Sequence, residues 1–234
     1  MTRDQGPKTN DHMSLNLLML GPPGAGKGTQ AERVAQARRI PRISTGDILR
    51  DAVHAGTEIG RRAQVIMGRG ELVGDDVMIG IVRDRLERED TRCGFVLDGF
   101  PRTVAQASAL DTIMRGRDPL IVIDIVVPEA ELLRRLGTRL ICDDCGMNAP
   151  IAGGVAACVK CGGKLVQRAD DNQAIVLERL DVYHRQSEAI VEYYRVRPTF
   201  RSIDGAQPPD RVAADLAAAI EAASHQAVRY GAPR

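Results

Sequence analysis

One lysine, a few arginines and four cysteines are the residues of this chain whose types and spacing can do chemistry. The lysine lies in GPPGAGKGT, Gly21 to Thr29. Glycines in such a run let backbone N–H groups turn inward and approach an anion closely. Lys27 then brings a mobile cation to the outer phosphates of a nucleoside triphosphate. The strict phosphate-loop pattern places Ser or Thr directly after Gly-Lys. Here Gly28 intervenes and Thr29 follows, so the loop is a variant. A flexible turn is the bland alternative; the lysine, the spacing and the flanking runs all speak against it.

The cysteines form two C-x-x-C pairs, Cys142 with Cys145 and Cys158 with Cys161, separated by twelve residues. Gly146, Gly162 and Gly163 follow them. This is knuckle spacing for tetrahedral Zn²⁺, and four thiolates would make the metal structural, with no open position for catalysis. A redox dithiol needs only one pair. A nucleic-acid-binding knuckle lacks its basic patch, because Asp143 and Asp144 offset Lys160 and Lys164. Cys93 stands apart as an ordinary thiol. A third run, GFVLDGFPR, ends a strand pattern on Asp98 and continues to Pro101-Arg102. An acidic residue at the carboxyl end of such a strand can order the water shell of Mg²⁺; a turn-capping Asp is the alternative.

These residues need elements to hold them. Short apolar runs at Asn16–Leu20, Arg42–Ser44, Phe95–Asp98, Leu120–Val127 and Phe200–Asp204 read as strands. Helical patterns cover Thr29–Arg38, Gly46–Ala55, Thr57–Met67, Asp75–Glu87, Thr103–Arg115, Glu129–Leu136, Asn172–Arg195 and Pro209–Ala227. The alternation predicts an α/β fold: a doubly wound, five-stranded parallel sheet with helices on both faces. LIVIDIVV has the near-continuous apolar character of a strand buried on both sides. Asp124 interrupts it with no evident role. The helical stretch after Ser44 and the Cys/Gly-rich stretch Leu140–Val166 read as two insertions.

Composition narrows the function. The chain has 234 residues, 44% apolar and 27% charged, with a net charge of +1. That fits a soluble globular domain and gives no bulk electrostatic case for nucleic acid or an anionic membrane. Only four of the 32 basic side chains are lysines; arginine suits bidentate phosphate binding, although base composition accounts for most of them. Aromatic content of 3% without tryptophan argues against a base-stacking surface. No apolar run approaches the ~20 residues of a membrane span. Residues 1–13 are polar and read as a disordered extension without a signal peptide, so a cytoplasmic, reducing compartment is expected.

GPPGAGKGTQ, ISTGDILR, DGFPRT and QRADD occur together and in order, and from about Leu15 onward the chain resembles the adenylate kinase family. The four-cysteine stretch followed by QRADD is similar to the zinc-containing bacterial members. The resemblance implies Mg²⁺-dependent phosphoryl transfer, ATP + AMP ⇌ 2 ADP, by a monomer. It implies a core (14–43, 74–137 and 176–234), an AMP-binding insert (44–73) and a lid (138–175). Gly24, Ala25, Gly26, Lys27, Gly28 and Thr29 would hold the ATP phosphates. Arg135 and Arg139 would stand at the lid base, and Gln207 would meet the ATP adenine. Thr45, Arg50, Glu71, Leu72, Val73, Gly99, Phe100, Pro101 and Arg102 would surround AMP, with Gln106 reading its base. Arg168 and Arg179 would close over both phosphate chains, and Lys27, Arg102, Arg135, Arg139, Arg168, Arg179 and Asp98 would form the catalytic set. The lid departs from the pattern: Met147, Asn148 and Ala149 replace its usual aromatic, and the lid base reads Gly137-Thr138-Arg139-Leu140. Weaker ATP contact or broader donor choice is the expected result. The alternatives are a UMP/CMP or other nucleoside monophosphate kinase, and a zinc-knuckle binding protein that uses ATP as a switch.

Overall fold

The computed structural model describes residues 14–149 and 156–229. The expected extension at 1–13 lies outside them. Five parallel strands form the central sheet in the order β2-β3-β1-β4-β7. They are β1 (Leu15–Leu20), β2 (Arg42–Ser44), β3 (Gly94–Asp98), β4 (Leu120–Val126) and β7 (Phe200–Asp204). In the centre, Leu17 of β1 is in register with Val96 of β3 on one side and Ile121 of β4 on the other.

The period of two along each strand divides the core between the two faces. Leu17, Met19, Val96, Ile121, Ile123 and Ile125 belong to one cluster, with α1 (Lys27–Arg38), α6 (Glu129–Gly137) and α9 (Pro209–Arg229). Leu18, Leu20, Phe95, Leu97 and Val122 belong to the other, with α4 (Asp75–Leu86) and α5 (Val104–Ile113). Between β2 and α4 lie α2 (Thr45–His54) and α3 (Glu58–Gly68). Ser44 caps α2 by accepting from the Asp47 N–H at 3.2 Å, and Thr57 caps α3 through the Gly60 N–H at 3.0 Å. A Cβ on Gly60 would lie 2.0 Å from the Ala52 carbonyl oxygen, so these two helices touch backbone to backbone.

One segment gains detail and one expectation is corrected. The Cys/Gly-rich segment carries a two-stranded antiparallel sheet, β5 (Leu140–Cys142) with β6 (Leu165–Gln167); three-residue strands are too short to show a period. The helix expected over Asn172–Arg195 is broken into α7 (Gln173–Val182) and α8 (Glu188–Arg195) by a wider turn at Tyr183–Ser187. There the Glu188 N–H reaches back five residues to the Tyr183 carbonyl. The extra residue rotates α8 relative to α7 by about 100°. As a result α7 gives Val176 and Leu180 to the first cluster, while α8 gives Ile190 and Tyr194 to the second. No helix among the described residues is long and apolar enough to cross a membrane.

Candidate active site

The phosphate loop leaves β1 at Gly21, whose φ of +129° and whose position 2.5 Å (for an added Cβ) from the Ile125 carbonyl exclude any side chain. Gly26, at φ +93°, turns the chain into α1. The loop therefore presents its amides beside the positive end of a twelve-residue helix. The Lys27 ammonium folds back over the loop and donates to the carbonyls of Gly21 (2.7 Å) and Pro22 (2.8 Å). Burial lowers its pKa to about 8; Asp98 opposes the shift, and Arg102, Arg179 and Arg139 add to it. Three guanidinium groups therefore lie close enough to act on this ammonium.

Those arginines are held by carboxylates. Arg139 makes a two-pronged pair with Asp171 (2.6 Å twice), and Arg179 donates to the same Asp171 at 3.1 Å. The Asp171 side chain is fully buried. Arg168 makes a two-pronged pair with Asp170 (2.9 and 2.8 Å), which Arg179 also reaches at 3.0 Å. Burial disfavours the charged Asp170 carboxylate, but Arg168 and Arg179 outweigh it and bring its pKa to about 2. Arg179 itself falls to about 10, chiefly through burial. Arg102 is fixed by its Nε–H to the Gly99 carbonyl at 2.8 Å.

A cavity of about 150 Å³ opens beside Lys27. Among the expected residues it is lined by Lys27, Thr45, Arg50, Glu71, Leu72, Val73, Gly99, Pro101, Arg102, Gln106, Arg168 and Arg179. Phe100 does not line it; its side chain is 1% exposed in the second core cluster. Thr45 donates to the Gly99 carbonyl at 2.9 Å, tying α2 to the turn after β3. Gly70, at φ +77°, closes the cavity where the chain leaves α3, and a Cβ there would sit 3.2 Å from Arg179 Cγ and 3.3 Å from the Ile175 carbonyl. The other expected residues do not line this cavity. Gly24, Ala25, Gly26, Gly28 and Thr29 form the loop and first turn of α1. Arg135 donates to the Gly205 carbonyl at 2.9 Å, and Gln207 donates to Asp204 and Asp215 at 3.2 and 2.9 Å. Asp98 Oδ2 accepts from Arg42 at 3.1 Å.

A family model for adenylate kinase matches residues 19–199. The adenylate kinase of Moorella thermoacetica is 51% identical over 201 residues, covering 82% of this chain and 92% of that protein. That of Archaeoglobus fulgidus is 47% identical over 214 residues, 88% of this chain and 98% of that protein. A Geobacillus adenylate kinase is 48% identical over 210 residues, with 86% and 96% covered.

The chain belongs to the adenylate kinase family.

Its class is that of nucleotide phosphotransferases, and the P-loop sheet of this family is the fold described above. Several residues around the cavity gave no signal in the sequence. Asp75 and Arg42 have no spacing relation to the motif residues they bond, Gln106 and Asp98, and Tyr183 has none to the cavity it lines. Asp170 and Asp171 stand within QRADD, yet nothing in the string distinguishes them as the counter-ions of three arginines. Asp124 pairs in register with Leu20, the last residue before the loop, and is buried at the carboxyl end of β4. Burial raises its pKa, against Arg195 and Lys27.

The four expected cysteines come together, with ligand atoms all within 4.8 Å of one another. Cys142 and Cys161 sulfurs are 3.4 Å apart, and those of Cys145 and Cys158 are 3.6 Å apart. Four thiolates at the Zn–S distance require sulfurs about 3.8 Å apart, so the set fits a tetrahedral ion. Gly146 and Gly162 N–H groups close the two knuckles onto the Cys142 and Cys158 carbonyls at 3.0 and 2.8 Å.

Proposed function

We propose that this chain catalyses the reversible, Mg²⁺-dependent transfer of a phosphoryl group from ATP to AMP, giving two ADP. The observation that carries the reading is the convergence of Lys27, Arg102, Arg139 and Arg179 beside the cavity between α2–α3 and the turn after β3. Phosphoryl transfer asks little covalent work of the protein; it needs alignment and positive charge around the moving group. The loop amides of Gly24–Thr29 and Lys27 hold the ATP phosphates, with Arg135 and Arg139 at the donor edge and Gln207 at its adenine. AMP occupies the cavity, its phosphate on Arg50 and Arg102 and its base near Glu71–Val73 and Gln106. Arg168 and Arg179 bridge the two phosphate chains, leaving Asp170 and Asp171 as they do so. No general base is required. Mg²⁺, when bound, would supply charge to the donor oxygens, and Asp98 would hold its water shell.

The reading has three working parts: the core, the insert 44–73 and a lid 138–175 that excludes water as a competing acceptor. Zn²⁺ on Cys142, Cys145, Cys158 and Cys161 stiffens the lid. The chain acts as a monomer, in keeping with exposed apolar residues scattered over different elements (Ile59, Val126, Val196). Met147 is exposed where a stacking aromatic would stand, which favours broad donor choice. The test is ADP formation with ATP or GTP as donor and AMP, UMP, CMP or GMP as acceptor. Transfer confined to AMP is expected, with Michaelis constants for ATP and GTP within about tenfold, the low end of what one apolar contact discriminates. Preferred transfer to UMP or CMP would reassign the acceptor. No transfer by folded, zinc-loaded protein would favour a nucleotide-switched binding protein.

A further inference from the structure

We infer that Asp75 is a specificity-determining positioning residue: it fixes the sense of the Gln106 amide and so selects a 6-aminopurine acceptor over a 6-oxopurine. The inference rests on the reading of the cavity as the acceptor nucleotide's site.

Gln106 is 1% exposed and lines that cavity. Both ends of its amide are spoken for by groups that have no choice of role. On one side Oε1 lies 2.8 Å from the backbone N–H of Arg102, which can only donate. On the other, Nε2 lies 2.7 Å from Oδ1 of Asp75, a carboxylate that can only accept. Reversing the amide would set oxygen against carboxylate oxygen and N–H against N–H. Asp75 is itself immobilised. Its Oδ2 accepts from the Thr103 hydroxyl at 2.9 Å, and Thr103 caps α5 by accepting the Gln106 N–H at 3.2 Å. Asp75 also opens α4, where the helix dipole favours its charge.

After these bonds the amide retains one lone pair on Oε1 and one N–H on Nε2. Adenine offers the complement, an N6–H donor beside the N1 acceptor. A 6-oxopurine offers the reverse, an O6 acceptor beside an N1–H donor. The reversed edge would leave both buried amide groups facing like partners, and mismatched buried polar groups discriminate far more strongly than a missing methyl.

The test compares AMP with inosine monophosphate, which differs from it only along this edge. In Asp75→Asn the new side chain can donate or accept, so only the Arg102 N–H still favours one sense of the Gln106 amide and the carboxylate's share of the selection is lost. The expected result is a fall of at least about tenfold in the AMP-to-IMP ratio of kcat/KM, expressed mainly in KM, in a variant whose melting curve shows it folded. An unchanged ratio in that folded variant overturns the inference. Gln106→Leu separates the two levels: weaker AMP binding keeps the cavity reading, whereas unaltered AMP affinity overturns that reading and the inference with it. Should Asp75→Asn not fold, calorimetry on the unaltered protein decides. IMP is expected to bind at least about tenfold more weakly than purine riboside 5′-monophosphate, which merely lacks the 6-substituent. Equal binding of the two overturns the inference.

Discussion

The segment from Thr45 to Val73 and the segment from Leu140 to Gln167 are both inserted between strands or helices of the core, yet they are held together by different physics. In the first, Leu49 and Ala63 are buried, and Ile48, Met67 and Val73 pack against the second core cluster. In the second, the buried residues among those described are Cys142 and Cys158. One segment is fastened by apolar contact with the sheet; the other has three-residue strands and four thiols. A piece of chain too short to build a core can still be ordered, provided a metal supplies the free energy that burial cannot.

Three experiments sharpen the contrast. The largest effect is expected from a chelator or Cys142→Ser. Amide protection in β5 and β6 should be lost, while protection in α2 and α3 stays; hydrogen exchange read by mass spectrometry tells them apart, and parallel loss in both segments would mean that they are one cooperative unit. Next is Gly60→Ala. The added Cβ meets the Ala52 backbone at 2.0 Å, so α2 and α3 must part, at a cost of about 1–3 kcal/mol, the range of an overpacked core. The Michaelis constant for AMP should rise several-fold, with that for ATP little changed; denaturant melts and initial rates check both.

The smallest effect belongs to Lys27. Its pKa near 8 means that kcat/KM for ATP falls as pH rises through that value, by about fourfold at pH 8.5. Its folded pKa lies below the unfolded one, so the unfolded chain holds more protons between about 8 and 10.5. This group's contribution to stability therefore rises with pH across that window. A pH-independent kcat/KM for ATP up to pH 9.5 would contradict the assignment of the ammonium to the donor phosphates.

The sheet was legible because its strands alternate between two apolar faces, and because β4 is apolar on both. Most boundaries fell within a residue or two of the sequence pattern. The loop, the cysteine knuckles and the motif arginines were legible because their chemistry demands fixed local spacing. What escaped was long-range or phase-dependent. Asp75 and Gln106 lie thirty-one positions apart; no local pattern joins them. The break at Tyr183–Ser187 lies in a sequence that continues to suit a helix, and it exists because Leu180 and Tyr194 pack on opposite faces of the sheet. Propensity describes neither constraint.

Gly70 has a thermodynamic consequence. It is the place where the end of α3 rests against α7, the helix that comes after QRADD, with a Cβ's width to spare neither at Arg179 nor at Ile175. The segment that walls the cavity and the stem of the thiol-bound segment thus share a contact. On the proposed reading, occupancy of the cavity should alter affinity at the phosphate loop, and linkage would require the reverse effect to be equal.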